Sequence, residues 1–148
     1  MTGNPFGGRV EGDWSIAMSN DLAGLKDGLN GLGAWLERNK IDTETENRAR
    51  LVFEEIVTNI TRYGFPEGGA HIVYAGASLG DGELALSFDD DGLAFDPRKA
   101  PVLQPTHSLV HASVGGRGLI LVRAAARRID YERTLDGRNR LTVTLPRP

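Results

Sequence analysis

Over residues 43–60 the apolar positions Ala49, Val52, Phe53, Ile56, Val57 and Ile60 recur at i, i+3, i+4, i+7, i+8 and i+11. That period predicts an amphipathic helix with one buried stripe. Thr43 and Glu46 stand at capping-box spacing and predict its start. Upstream, Leu22, Leu25, Leu29, Leu32 and Leu36 form a second stripe, predicting a helix that begins near Ser19 or Asn20. Gly24, Gly28, Gly31 and Gly33 interrupt that helix, each weakening it by about 1 kcal/mol relative to alanine.

A two-residue period takes over elsewhere. Trp14, Ile16 and Met18 alternate with Ser15 and Ala17 and predict a short strand. Residues 71–79 and 83–90 read as two strands joined by a Gly80-Asp81-Gly82 turn. Residues 128–135 and 139–146 read as a second pair about Asp136-Gly137, with Leu141, Val143 and Leu145 alternating with Thr142 and Thr144. Between these pairs, residues 97–115 hold Pro97, Pro101 and Pro105 and no period, which predicts a long functional loop or lid. A helix over 118–127 follows. The order is strand, two helices, two strands, lid, helix, two strands. It predicts an α/β (α+β) two-layer sandwich, with a mixed, mostly antiparallel sheet and helices on one face. Residues 1–9, with Gly3, Pro5, Gly7 and Gly8, read as a flexible arm before a single domain over 10–148.

Periodicity also sorts the polar residues. At roughly 100° per residue from Ile56, Glu55 lies about 100° and Asn59 about 60° to the same side of the stripe, while Glu54 falls about 160° away in solvent. Glu55 and Asn59 therefore flank the apolar face one helical turn apart. In the strand 83–90, Leu84, Leu86, Phe88 and Asp90 share one face, so Asp90 closes an inward row. Asp89 points the other way, and Asp91 already belongs to the turn. A carboxylate ending a buried row requires a partner. Gly115, Gly116 and Gly118 open the third helix around Arg117, leaving backbone N–H donors at its positively polarised end.

Bulk properties remove several classes. The 148 residues suffice for one compact domain. Hydrophobic residues at 40% and charged residues at 25% are ordinary globular usage. A formal charge of −3 and no basic stripe give no footprint for nucleic acid. With no cysteine there is no disulfide framework, thiolate nucleophile or Cys-based zinc site. No apolar run suits a signal peptide or membrane span, so the expected location is the cytoplasm. His107 and His111 are spaced i, i+4 but sit among prolines, and are read as lid residues rather than zinc ligands.

Taken singly, E-x-x-x-N is an ordinary polar flank, D-D-G a turn and GGRG a helix entry. In series, on these elements, they resemble the Bergerat ATP-binding fold shared by gyrase-type ATPases, Hsp90-like chaperones and histidine-kinase catalytic domains. The phrases EEIVTNITRYG, DDDGLAFDP, GGRGLILVRAAARRIDYE and RLTVTLP are most similar to stand-alone anti-sigma factor serine/threonine kinases, over roughly residues 14–146. That resemblance implies ATP and Mg2+ as cofactors. Glu55 would orient or deprotonate the attacking hydroxyl, and Asn59 would bind magnesium. Asp90 would accept from the adenine amine, with Gly92 turning the backbone beneath the base. Gly115, Gly116, Arg117 and Gly118 would meet the phosphates, and Thr144, or else Thr142, would support adenine. Ala94 and Tyr63 depart from the glycine and histidine that many relatives carry.

The implied activity is transfer of the ATP γ-phosphate to a serine or threonine of an anti-anti-sigma (STAS-domain) antagonist. A sigma factor is a further expected partner, and a homodimer the expected assembly. A nucleotide-gated binding protein without kinase activity is the alternative reading. A split histidine-kinase module is a third; against it, the three histidines fall in a strand or the lid.

Overall fold

A computed structural model describes residues 12–99 and 116–148. Its elements run β1 (Trp14–Ser19), α1 (Leu22–Arg38), α2 (Thr43–Tyr63), β2 (Ile72–Gly80), β3 (Glu83–Asp90), α3 (Gly116–Ala125), β4 (Arg128–Arg133) and β5 (Asn139–Pro146). The arm at 1–9, most of the lid segment, and His107 and His111 lie outside the described residues.

The five strands form one sheet in the order β1-β2-β3-β5-β4, and every neighbouring pair is antiparallel. Two turns of the expected kind close hairpins: Gly82 takes φ 67° between β2 and β3, and Gly137 takes φ 81° between β4 and β5. Strands β3 and β5 are sequence-distant yet central, with Leu84 opposite Leu145, Leu86 opposite Val143 and Phe88 opposite Leu141. This shared face packs on the buried stripes of α1 and α2, through Leu32, Leu36, Val52, Phe53, Ile56 and Val57. Phe53 joins the layers, its ring centroid 5.6 Å from Phe88 and 6.1 Å from Trp14. The expected two-layer sandwich is the observed architecture.

Helix starts differ from the sequence reading in an instructive way. Ser19 remains in the β1–β2 ladder opposite Ile72, and the Asn20 side chain accepts from His71 N and donates to Gly69 O. The cap of α1 therefore falls to Asp21, whose carboxylate accepts from Gly24 N at 2.8 Å. Asp42, not Thr43, caps α2 by accepting from Thr45 N at 3.1 Å; Glu46 is used instead to pair with Arg50 at 3.1 Å. The α1 glycines also have a packing role: a Cβ at Gly28 would meet Phe53 Cζ at 2.8 Å. Leu22, the first leucine of the expected stripe, is 65% exposed.

Candidate nucleotide-binding site

Beyond the ends of α2 and β3 the two layers part into an apolar cleft lined by Ile56, Asn59, Ile60, Tyr63, Gly64, Asp90, Leu93, Ala94, Phe95, Pro97, Tyr131, Asn139 and Leu141. Two connections build its rim. Gly64, at the C-terminal end of α2, accepts from Leu93 N at 2.9 Å, tying the α2 exit to the turn after β3. Arg133 Nη1 donates to Gly92 O at 2.8 Å, tying that turn to β4.

The α2 stripe places the predicted pair where the helical count put them. Glu55 is half-buried and Glu54 exposed. Asn59 is 7% exposed and lines the cleft, and among the described residues its buried Nδ2 has no hydrogen-bond partner. A buried amide N–H donor without a partner costs about 1–3 kcal/mol, which an acceptor on a ligand can offset. Burial pushes the Glu55 carboxyl above the usual glutamate range. The neighbouring Glu54 charge adds to the rise, and Arg62 opposes it.

Asp90 ends the inward row of β3 at 3% exposure, as the alternation of β3 requires. Its Oδ1 accepts from Gly92 N at 2.9 Å and from Asn139 Nδ2 at 3.1 Å. Burial raises its pKa; those two hydrogen bonds oppose the rise, Asp89 adds to it and Arg138 pulls it down. Gly92 fits closely: a Cβ there would meet Gly64 O at 2.8 Å and Asp90 Oδ1 at 2.9 Å. The glycine thus lets the turn fold under the cleft.

Asp89 points to the other face, as alternation requires, and is fully buried there. Arg138 Nε lies 2.5 Å from Asp89 Oδ1 and Arg140 Nε 3.1 Å from Asp89 Oδ2. Arg138 also lies over the Tyr74 ring, at 5.7 Å from its centroid. Two adjacent aspartates therefore serve opposite faces, one structural and one facing the cleft.

Of the glycine cluster, Gly115 lies outside the described residues, while Gly116 and Arg117 begin α3. Gly118 is buried against Glu55, and a Cβ added there would meet Glu55 Cδ at 2.8 Å. The structure thus brings the opening of α3 to the carboxylate of α2.

The threonine expected beside the base stands elsewhere. Thr144 pairs with Ala85, and Thr142 with Ser87, on the face of β5 opposite to Asp90. Thr144 is buried there, with its hydroxyl accepting from Arg128 Nη2 at 3.4 Å. Asn139 occupies the place beside Asp90 instead, directly opposite it in the ladder. The strict alternation of Leu141, Val143 and Leu145 carried this signal, because odd positions of β5 face the helices.

The residues present suit a magnesium nucleotide. An apolar slot accepts a planar base, Asp90 offers an acceptor, and the unpartnered Asn59 Nδ2 offers a donor to a nucleotide oxygen while its amide oxygen is of the type magnesium takes. Magnesium takes oxygen ligands and keeps waters while bridging phosphates, so one carboxamide oxygen with nucleotide oxygens is a sufficient donor set.

Residues 18–145 match the histidine kinase-like ATPase domain family. The serine/threonine-protein kinase BtrW of Bordetella bronchiseptica is 32% identical over 114 residues, spanning 74% of this chain and 80% of its own. The fold overlays on the RsbU and RsbW domains of Rv1364c from Mycobacterium tuberculosis with a TM-score of 0.60 at 18% identity, covering 91% of this chain and 32% of that one. This chain thus spans about a third of the length of that solved chain. It also overlays on the SiaB-SiaC complex from Pseudomonas aeruginosa with a TM-score of 0.58 at 16% identity, covering 90% of this chain and 89% of that one. At those identities the two structures establish likeness of fold. No helix among the described residues is long and apolar enough to cross a membrane.

Proposed function

The chain belongs to the histidine kinase-like ATPase domain family, and on that footing we propose that it is an ATP-dependent protein serine/threonine kinase. Its substrate is a serine or threonine hydroxyl of an anti-anti-sigma antagonist of the STAS type, and its second partner a sigma factor that it sequesters. The observation that carries this reading is that Asn59 and Asp90 line one cleft, with Glu55 one helical turn before Asn59 and packed against Gly118 at the opening of α3. The kinase relative and the SiaB-SiaC complex of like fold support the choice of a protein substrate over free water.

Phosphoryl transfer asks a protein chiefly for positioning and charge compensation. Bound Mg-ATP supplies the phosphoryl group and much of the compensating charge. Asn59 would hold the magnesium through its amide oxygen. Asp90 accepts from the adenine amine, while Ile56, Ile60 and Leu141 wall the base. Glu55 sits one turn before Asn59, where it orients the incoming hydroxyl and takes its proton as oxygen attacks the γ-phosphorus and ADP leaves. A carboxyl raised by burial suits that task, because a general base works best with a pKa nearer the operating pH.

Incubation with Mg-ATP and a STAS-domain antagonist, followed by intact-mass analysis, tests the reading. The expected product is an antagonist heavier by one phosphate, and Glu55→Gln abolishes it while nucleotide binding persists. Binding of ATP with no phosphoprotein formed would favour a nucleotide-gated binding protein instead.

A further inference from the structure

We propose that Asn139 is the residue that sets base specificity: it holds Asp90 by one carboxylate oxygen and leaves the other fixed as an acceptor for an exocyclic amine. The inference rests on the nucleotide reading above and adds to it a residue outside the recognised motifs.

Every hydrogen-bonding function of the Asn139 carboxamide is engaged. Its Nδ2 donates to Asp90 Oδ1 at 3.1 Å and to Leu93 O at 2.8 Å. Its Oδ1 accepts from Tyr131 OH at 2.6 Å and from Phe95 N at 3.3 Å. These partners fix which end of the amide faces which way. Phe95 N can only donate and Leu93 O can only accept, so a flipped amide would set donor against donor and acceptor against acceptor. Burial pushes the Tyr131 hydroxyl up, which keeps it protonated and donating. Asn139 is itself 6% exposed, so a broken bond there is not replaced by bulk water.

The consequence falls on Asp90. Among the described residues both hydrogen bonds it receives arrive at Oδ1, from Asn139 and from Gly92 N. Oδ2 remains as the acceptor available to a ligand in the cleft that Asp90 lines. Of the charged groups nearby, Asp89 and Arg138 are engaged with each other on the opposite face, and Arg133 is committed to Gly92 O. The side-chain donor that favours an ionised Asp90 is therefore Asn139. Replacing that donor by an acceptor would make the buried pair hold a proton between them, which withdraws negative charge from Oδ2 and removes the bond that fixes the carboxylate's orientation.

The test compares binding of ATP and ITP, which carries a carbonyl in place of the 6-amine, by calorimetry on wild type, Asn139→Asp and Tyr131→Phe. Wild type is expected to prefer ATP by about 10- to 100-fold, the range for leaving a buried polar group mispaired. Asn139→Asp should lower that preference at least tenfold. Tyr131→Phe, which keeps the ring and removes one of the two donors that hold Asn139 Oδ1, should lower it by a smaller factor in the same direction. An unchanged ATP-to-ITP ratio in both variants, or equal losses for both nucleotides, would overturn the assignment and leave Asn139 as a brace of the turn. If Asn139→Asp does not fold, Tyr131→Phe decides. Wild type binding neither nucleotide would instead bring down the nucleotide reading itself.

Discussion

The carboxylate of Glu55 rests against the α-carbon of Gly118, so closely that a Cβ at residue 118 would lie 2.8 Å from Glu55 Cδ. The glycine that opens α3 thus also makes room for the proposed base. Gly118→Ala is expected to push the flexible Glu55 side chain aside without disturbing the core. Transfer to the antagonist should fall at least ~10-fold, as a misplaced catalytic group does, while the unfolding midpoint moves little. Single-turnover phosphorylation beside thermal melting checks both halves.

Removing the base chemically should be more severe. Glu55→Gln is expected to lower transfer by about 10²–10⁴-fold, the usual contribution of a positioned general base. Its ATP affinity should stay within about threefold of wild type. Normal transfer by this variant would remove Glu55 from the role.

The raised pKa of Glu55 makes transfer pH-dependent with a definite sign. The base must be ionised, so the rate rises with pH through an apparent pKa above the ordinary glutamate value of 4.5. Glu54→Gln, which removes a repelling charge from solvent, should move that limb to lower pH. Removing the opposing cation with Arg62→Gln should move it upward. Stability runs the other way for this group: a carboxyl raised in the folded state favours folding when protonated, and that contribution is lost as pH rises through the folded pKa. A limb that does not respond to Glu54→Gln would mean that another group titrates.

Asp89 anchors the outer face of the sheet. Arg138→Ala leaves this fully buried carboxylate with Arg140 alone. Breaking a buried pair in this way costs on the order of 3 kcal/mol. Urea unfolding should show the midpoint falling without a change in slope. A loss under about 0.5 kcal/mol, the scale of an exposed pair, would contradict it.

Much of this site is written in local periodicity. The α2 stripe separated Glu55 from Glu54, and alternation in β3 turned Asp90 inward, because both depend only on residues a turn or two apart. Asn139 was not legible. A single asparagine after a D-G turn carries no pattern, and its role exists only because β3 pairs with β5 in a register that sets it opposite Asp90. Thr144 was implied by the resemblance, although the leucine-valine alternation of its own strand assigns it to the other face. Asp89 faces away from Asp90 as alternation requires, but its burial was not legible, because it depends on Arg138 and Arg140 at the start of the partner strand. The helix caps shifted by one or two residues because aspartates immediately before each start competed successfully for the free N–H groups.

Titration calorimetry of the folded chain with ATP in excess magnesium bears most directly on the whole account. Saturable heat is expected, with affinity falling about 10- to 100-fold in Asp90→Asn, where the acceptor for the adenine amine is compromised, and with the magnesium dependence lost in Asn59→Ala. Absence of heat at millimolar ATP from folded wild-type protein would contradict the account.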